Sequence, residues 1–185
     1  IRKSGLAFMA AFFIMLLAQT GFAQPVWQTH LTDVGTGNSP SIGVPSGTSS
    51  GDLLVIGLVF EKGSDVTTMT LPSGFTLIRR TNQSSNVGMV TCYKVAGGSE
   101  TGPYTFTINN NPKWCIGISR ISGVNTTTPI NVSAHNSAAS GNPSAPGVTT
   151  TVNNTLVLAF YGNKKHATYT PAGGTTERYD HPNTT

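Results

Sequence analysis

The sequence predicts an all-β fold, a two-sheet antiparallel β-sandwich, and three observations carry that prediction. Short runs rich in Val, Ile, Leu and Phe recur along the chain, each bounded by clusters of Gly, Pro, Asn or Ser. Beyond residue 23 no segment sustains the 3.6-residue apolar period of a helix. Charged residues make up 10% of the chain against 21 Gly and 11 Pro, a balance that favours strands and turns over helices.

The elements follow in order. Arg2 and Lys3 precede an apolar run over residues 6–18, and Gly21-Phe22-Ala23 places small residues at the minus-three and minus-one positions of a cut after Ala23. These are the three parts of a signal peptide over residues 1–23. They predict export to the cell surface or the medium, and leave 24–185 as one β-sandwich domain of ordinary size. The leader's apolar run falls short of the roughly 20 residues that a membrane helix needs, and no later stretch approaches that length.

In the mature chain, strands are expected at 26–31, 53–60, 76–80, 87–96, 104–108, 114–121, 130–133, 147–152 and 155–161. The run 53–60 is apolar at nearly every position, as a central strand covered on both faces should be. Tyr104-Thr105-Phe106-Thr107-Ile108 alternates like a half-buried strand, and Asn109-Asn110-Asn111-Pro112 supplies the turn after it. An internal echo links two of these regions. Leu54-Val55 returns as Leu156-Val157, and Pro72-Ser73-Gly74 with Thr76 and Arg79 returns as Pro171-Ala172-Gly173 with Thr175 and Arg178. This predicts a repeated strand-turn unit. By analogy with the first unit, further strands should follow Arg178, so the C-terminal end reads as truncated and a chain ending at Thr185 is expected to be marginally stable or to aggregate.

The order Gly51-Asp52-Leu53-Leu54-Val55, Pro72-Ser73-Gly74-Phe75-Thr76, Tyr93-Lys94-Val95-Ala96, Glu100, Tyr104-Thr105-Phe106-Thr107, Ser122-Gly123-Val124 and Pro129-Ile130 resembles a widespread β-sandwich module. That module occurs in bacterial secreted and surface proteins and in phage tail or virion proteins, usually without an assigned activity. The resemblance covers about 52–179, implies a jelly-roll-like sandwich, and supplies no catalytic residues.

Charge excludes little beyond nucleic acid. Of 11 Lys and Arg, two lie in the leader, leaving nine against seven acids, with Arg79-Arg80 and Lys164-Lys165 as the basic pairs. A nucleic-acid surface concentrates its cations on one face, and none is expected here. Cys92 and Cys115 would meet an oxidising compartment, where two readings stand: a disulfide, or two separately buried thiols in strands.

Gly47-Thr48-Ser49-Ser50-Gly51 satisfies G-x-S-x-G, but a loop precedes it and a strand follows, so it reads as a connector. His30, His135, His166 and His181 lack metal-ligand spacing. Asp33, Asp52, Glu61, Asp65, Glu100, Glu177 and Asp180 show no local pairing of the kind glycosidases use, Asp52 closing a turn and Glu100 lying in one. No cofactor is expected. A structural calcium is compatible with such loops, although no D-x-D-x-D run designates ligands.

Trp27, Tyr104 and Trp114 are the candidates for stacking on a sugar or a partner, against the competing reading that their rings fill the core. The expected function is that of a non-catalytic extracellular module for adhesion, surface assembly or recognition in a longer secreted protein, with a glycan or another surface protein as partner. One alternative is a carbohydrate-binding accessory domain of a secreted hydrolase. Another is a hydrolase whose acids converge from distant loops.

Overall fold

A computed structural model describes residues 24–139, 144–164, 170–171 and 173–180. The proposed leader, Ala172, Lys165, His166 and His181 lie outside them. Among the described residues the fold is all-β, and its centre is a five-stranded antiparallel sheet. The strands are β1 (Val26–Thr36), β3 (Leu53–Glu61), β5 (Thr76–Gln83), β6 (Val87–Val95) and β9 (Lys113–Ser122), in the order β1-β9-β3-β6-β5. Four two-residue strands form two ribbons: β2 (Ser41–Ile42) with β7 (Tyr104–Thr105), and β4 (Met69–Thr70) with β8 (Thr107–Ile108).

β3 is central because it is apolar on both sides. Its even positions, Leu54, Ile56, Leu58 and Phe60, pack with Val90 and Cys92 of β6 and Trp114, Ile116 and Ile118 of β9. The same cluster takes Ile42, Tyr104, Phe106 and Ile108 from the ribbon layer, together with Val66 and Phe75. This is the sandwich interior, and 25 cal/mol per Å² of apolar burial makes such a cluster the main stabilising term. The odd positions Leu53 and Val55 face the other way and cluster with Ile121.

The stretch 104–108 is two strands rather than one. At Phe106 the backbone N–H donates to Pro40 O (2.8 Å), so the chain leaves β2 and resumes pairing with β4 one residue later. β1 runs five residues past its apolar pattern because β9 offers a full ladder, pairing Thr36 with Lys113 at its far end.

Three expected strands are absent: 130–133, 147–152 and 155–161 form no ladder among the described residues. The repeat is corrected with them. Leu54 and Val55 are 0% and 2% exposed, whereas Leu156 and Val157 are 39% and 67% exposed. The turns differ as well, since Gly74 holds the left-handed conformation (φ +80°) but in the second region Gly174 does (φ +81°), one residue beyond the expected equivalent Gly173. The likeness is one of composition, and the expectation of further strands loses the support it drew from the repeat.

Candidate functional site

The face of the sheet opposite the ribbons carries the site. On it, β3 and β9 place Gly57 directly across from Gly117. Two adjacent glycines remove two side chains from an otherwise close-packed surface and leave a dent floored by backbone, which is where another chain can approach a strand closely. Both halves of the dent are filled. A Cβ on Gly57 would lie 2.7 Å from the Phe160 ring, and one on Gly117 would lie 2.6 Å from the Tyr179 ring.

Phe160 and Tyr179 belong to two described stretches, 155–164 and 173–180, that lie over this face of the sheet. Leu158, Phe160 and Gly162 turn toward the sheet while Val157, Ala159 and Tyr161 turn to solvent. Leu158 and Phe160 join the Leu53, Val55 and Ile121 cluster, and Gly162 passes against Val59 and Met89. Beneath this cover Val55 and Ser119 are 2% and 3% exposed, as dry as the sandwich interior. Tyr179 stacks on His30 of β1 with centroids 4.8 Å apart, and the Arg178 guanidinium lies 4.6 Å from the centre of the Trp27 ring. That last contact has cation–π geometry. Burial pushes the Tyr179 phenol above its ordinary pKa.

Beside the seated rings the same face opens into a groove of about 1560 Å³, walled by Ile78, Thr91 and Met89 on the sheet and by Ile130, Val132 and Leu158 on the covering chain.

The expected aromatics are divided by this geometry. Trp114 and Tyr104 are 8% and 5% exposed and belong to the sandwich interior. Trp27 is half-buried on the opposite face, its indole N–H donating to Ser119 Oγ at 3.4 Å. Tyr104 instead anchors a polar latch. Its hydroxyl donates to Glu100 (2.6 Å), Lys94 Nζ pairs with the same carboxylate (2.7 Å), and the Gly97 N–H donates to its other oxygen (2.7 Å). Burial alone would raise the Glu100 pKa, but the hydrogen bonds from Lys94, Tyr104 and Gly97 outweigh it and hold it below the ordinary value. Burial, reinforced by the Glu100 charge, pushes Tyr104 up.

Cys92 and Cys115 do not form a disulfide. Cys92 points into the sandwich interior, while Cys115, between the inward-facing Trp114 and Ile116, stands on the other face. Alternation along a strand puts the sheet between the two sulfurs, and no rotamer spans it. Burial pushes the Cys92 thiol up to about 12.

Two of the acids, Asp52 and Glu100, hold structure. Asp52 accepts from Arg120 Nε (2.6 Å) and from the Ser49 N–H (2.9 Å), tying the turn before β3 to β9 across the sheet. Ser49, the serine of the G-x-S-x-G run, is exposed in that turn and donates to Gly47 O. His135 is exposed, and His30 lies in β1. Among the described residues no three of His, Cys, Asp and Glu gather as a metal site, and no helix is long and apolar enough to cross a membrane, which says nothing of crossing by strands.

The glycine pair is legible in the sequence in principle. Gly57 interrupts the apolar run LLVIGLVFE and Gly117 the run WCIGIS, and a glycine inside a strand signals close approach. What covers them could not be read, because Phe160 and Tyr179 lie 103 and 62 residues further along.

Comparison with known proteins adds little. No family model matches the chain, and no curated protein does. A solved structure titled as the tripod (BppUct-A-L) from the baseplate of bacteriophage Tuc2009 is similar at 16% identity, over 65% of this chain and 74% of that one, with a TM-score of 0.29. A likeness that weak carries no argument about role.

Proposed function

We propose that the chain is a non-catalytic extracellular β-sandwich module that recognises or assembles with a macromolecular partner through the sheet face bearing Gly57 and Gly117, as part of a longer secreted protein. One observation carries this reading: a backbone-floored dent that seats aromatic rings, continuous with an apolar groove on the same face. Glycine dents and apolar walls fit flat rings and extended chains, and buried aromatic anchors dominate the energetics of protein contacts. The non-catalytic part is supported by how the acids are used. Asp52 and Glu100 are each committed to an ion pair and a turn.

Tyr104 and Trp114 in the core leave Trp27 as the one expected aromatic on the binding face, and Arg178 covers it. A protein surface is therefore the better partner than a glycan. The test uses labelled protein spanning 24–185 on intact bacterial cells, with and without protease treatment of those cells, beside Ile78→Asp in the groove wall. Saturable binding that protease and Ile78→Asp both reduce is the expected result. Turnover of chromogenic glycoside or ester substrates by the purified protein, lost on replacing an acid or Ser49, would overturn the reading.

A further inference from the structure

The covering segment makes an unusual attachment. Its described parts, 155–164, 170–171 and 173–180, form no ladder with the sheet; among the contacts that hold it are the rings of Phe160 and Tyr179 seated on Gly57 and Gly117, Leu158, Gly162 against Val59 and Met89, Tyr179 on His30, and the Arg178–Trp27 stack. Side-chain knobs in backbone dents ask nothing about which chain the knobs come from. An identical segment from a second copy fits the same seats with the same contacts.

The connection also permits it. Residues 131–139 and 144–154 are exposed at every position. Their hydrogen bonds include surface polar contacts such as Asn131 with Thr151, Asn136 with Ser144, and Arg79 with Ser133. Swinging this stretch outward uncovers no buried side chain among its described residues and opens the groove that Val132 walls. A chain of that length, extended, reaches up to about 80 Å, well beyond one sheet's width.

We propose that two copies of the chain exchange these segments, Phe160 and Tyr179 of each seating on Gly57 and Gly117 of the other. This rests on the reading of that face as a contact surface and names its partner as a second copy. Reciprocal exchange is closed and two-fold, so it ends at a dimer rather than a fibre. It creates no interface that the single chain lacks, and its balance with the monomer is set by concentration.

The test mixes isotopically heavy and light protein carrying Phe160→p-benzoylphenylalanine, unfolds and refolds them together at high concentration, irradiates, and identifies cross-linked peptides that join residue 160 to the 53–61 strand. Exchange predicts heavy–light pairs as abundant as same-isotope pairs. Cross-links solely within one isotope would overturn it. Because the photoprobe is bulkier than Phe, a second arm uses natural residues. It pairs Gly57→Val/Gly117→Val, with blocked seats and intact rings, and Phe160→Ser/Tyr179→Ser, with intact seats and no rings. Each alone should be monomeric by light scattering, and their mixture should yield a heterodimer of twice the mass. A monomeric mixture, with wild type monomeric at every concentration, would overturn the exchange and leave the cell-binding test untouched.

Discussion

A methyl group added on either face of the sheet should have opposite consequences. On Gly88, which faces the sandwich interior, a Cβ would lie 2.4 Å from two carbons of the Phe60 ring, itself 1% exposed, and 2.8 Å from Asn82 Oδ1. Phe60 has nowhere to go, and overpacking of this kind costs about 1–3 kcal/mol. On Gly117 the clash is nearly as close, 2.6 Å, but the obstructed ring belongs to Tyr179 on the covering segment. That ring can lift away. Losing a half-buried Tyr costs about 1–1.5 kcal/mol, and replacing a strand glycine returns about 0.5–1 kcal/mol, so Gly117→Ala should come within about 1 kcal/mol of wild type. The same return applies at Gly88, so with a urea m-value of about 2 kcal/mol/M Gly88→Ala lowers the midpoint by up to about 1.2 M and Gly117→Ala by less than about 0.5 M. Phenol absorbance against pH supplies the second readout. Burial holds the Tyr179 phenol up in wild type, so Gly117→Ala should bring one late-titrating tyrosine back toward ordinary values and Gly88→Ala should not. Equal midpoints for the two variants, or an unchanged titration in Gly117→Ala, would refute the claim that the two faces are packed so differently.

Further outcomes follow from the polar contacts. Arg120→Met strands Asp52 in the turn before β3 and should cost about 2–3 kcal/mol in a urea melt, less than a fully buried pair because Arg120 keeps 18% of its side-chain surface; Asp52→Asn added to it should recover most of that loss. The Glu100 pKa is depressed in the folded state from 4.5, so its latch contributes fully above that value and is lost as pH falls below it, and Glu100→Gln should flatten the acid limb of a stability-against-pH curve. Tyr104 is shifted upward from 10, so its contribution is complete below pH 10 and lost as pH rises beyond, and Tyr104→Phe should flatten the alkaline limb. Neither Cys92 nor Cys115 should react with a thiol reagent at pH 8 until the protein is unfolded, since burial raises both, and reductant should leave the intact mass unchanged.

What could be read from the sequence was whatever depends on near neighbours. The turn-bounded apolar runs 87–96 and 114–121 and the doubly apolar 53–60 match three of the five central strands to within a residue. The turn roles of Asp52 and Glu100 were visible in the same way, from spacing of three residues. Partners far along the chain were not. Arg120 lies 68 residues from Asp52, and nothing local announces the pair. The apolar run 155–161 reads as a strand in the sequence, but apolar composition reports that part of a chain can be buried and is silent on whether its backbone joins a ladder. Leu158 and Phe160 are turned inward by a sheet face beneath them, not by strands beside them.

That distinction is also where the account is most open to a direct check. Backbone amides in a ladder exchange through unfolding of the sheet, whereas those of a chain held by side-chain knobs exchange whenever the knobs lift. Native-state hydrogen exchange comparing residues 53–61 with 155–161 should find the first protected to the level of global unfolding and the second exchanging orders of magnitude faster. Comparable protection in both stretches would mean that 155–161 is a strand of the sheet, and the seated-ring description of this face would fail.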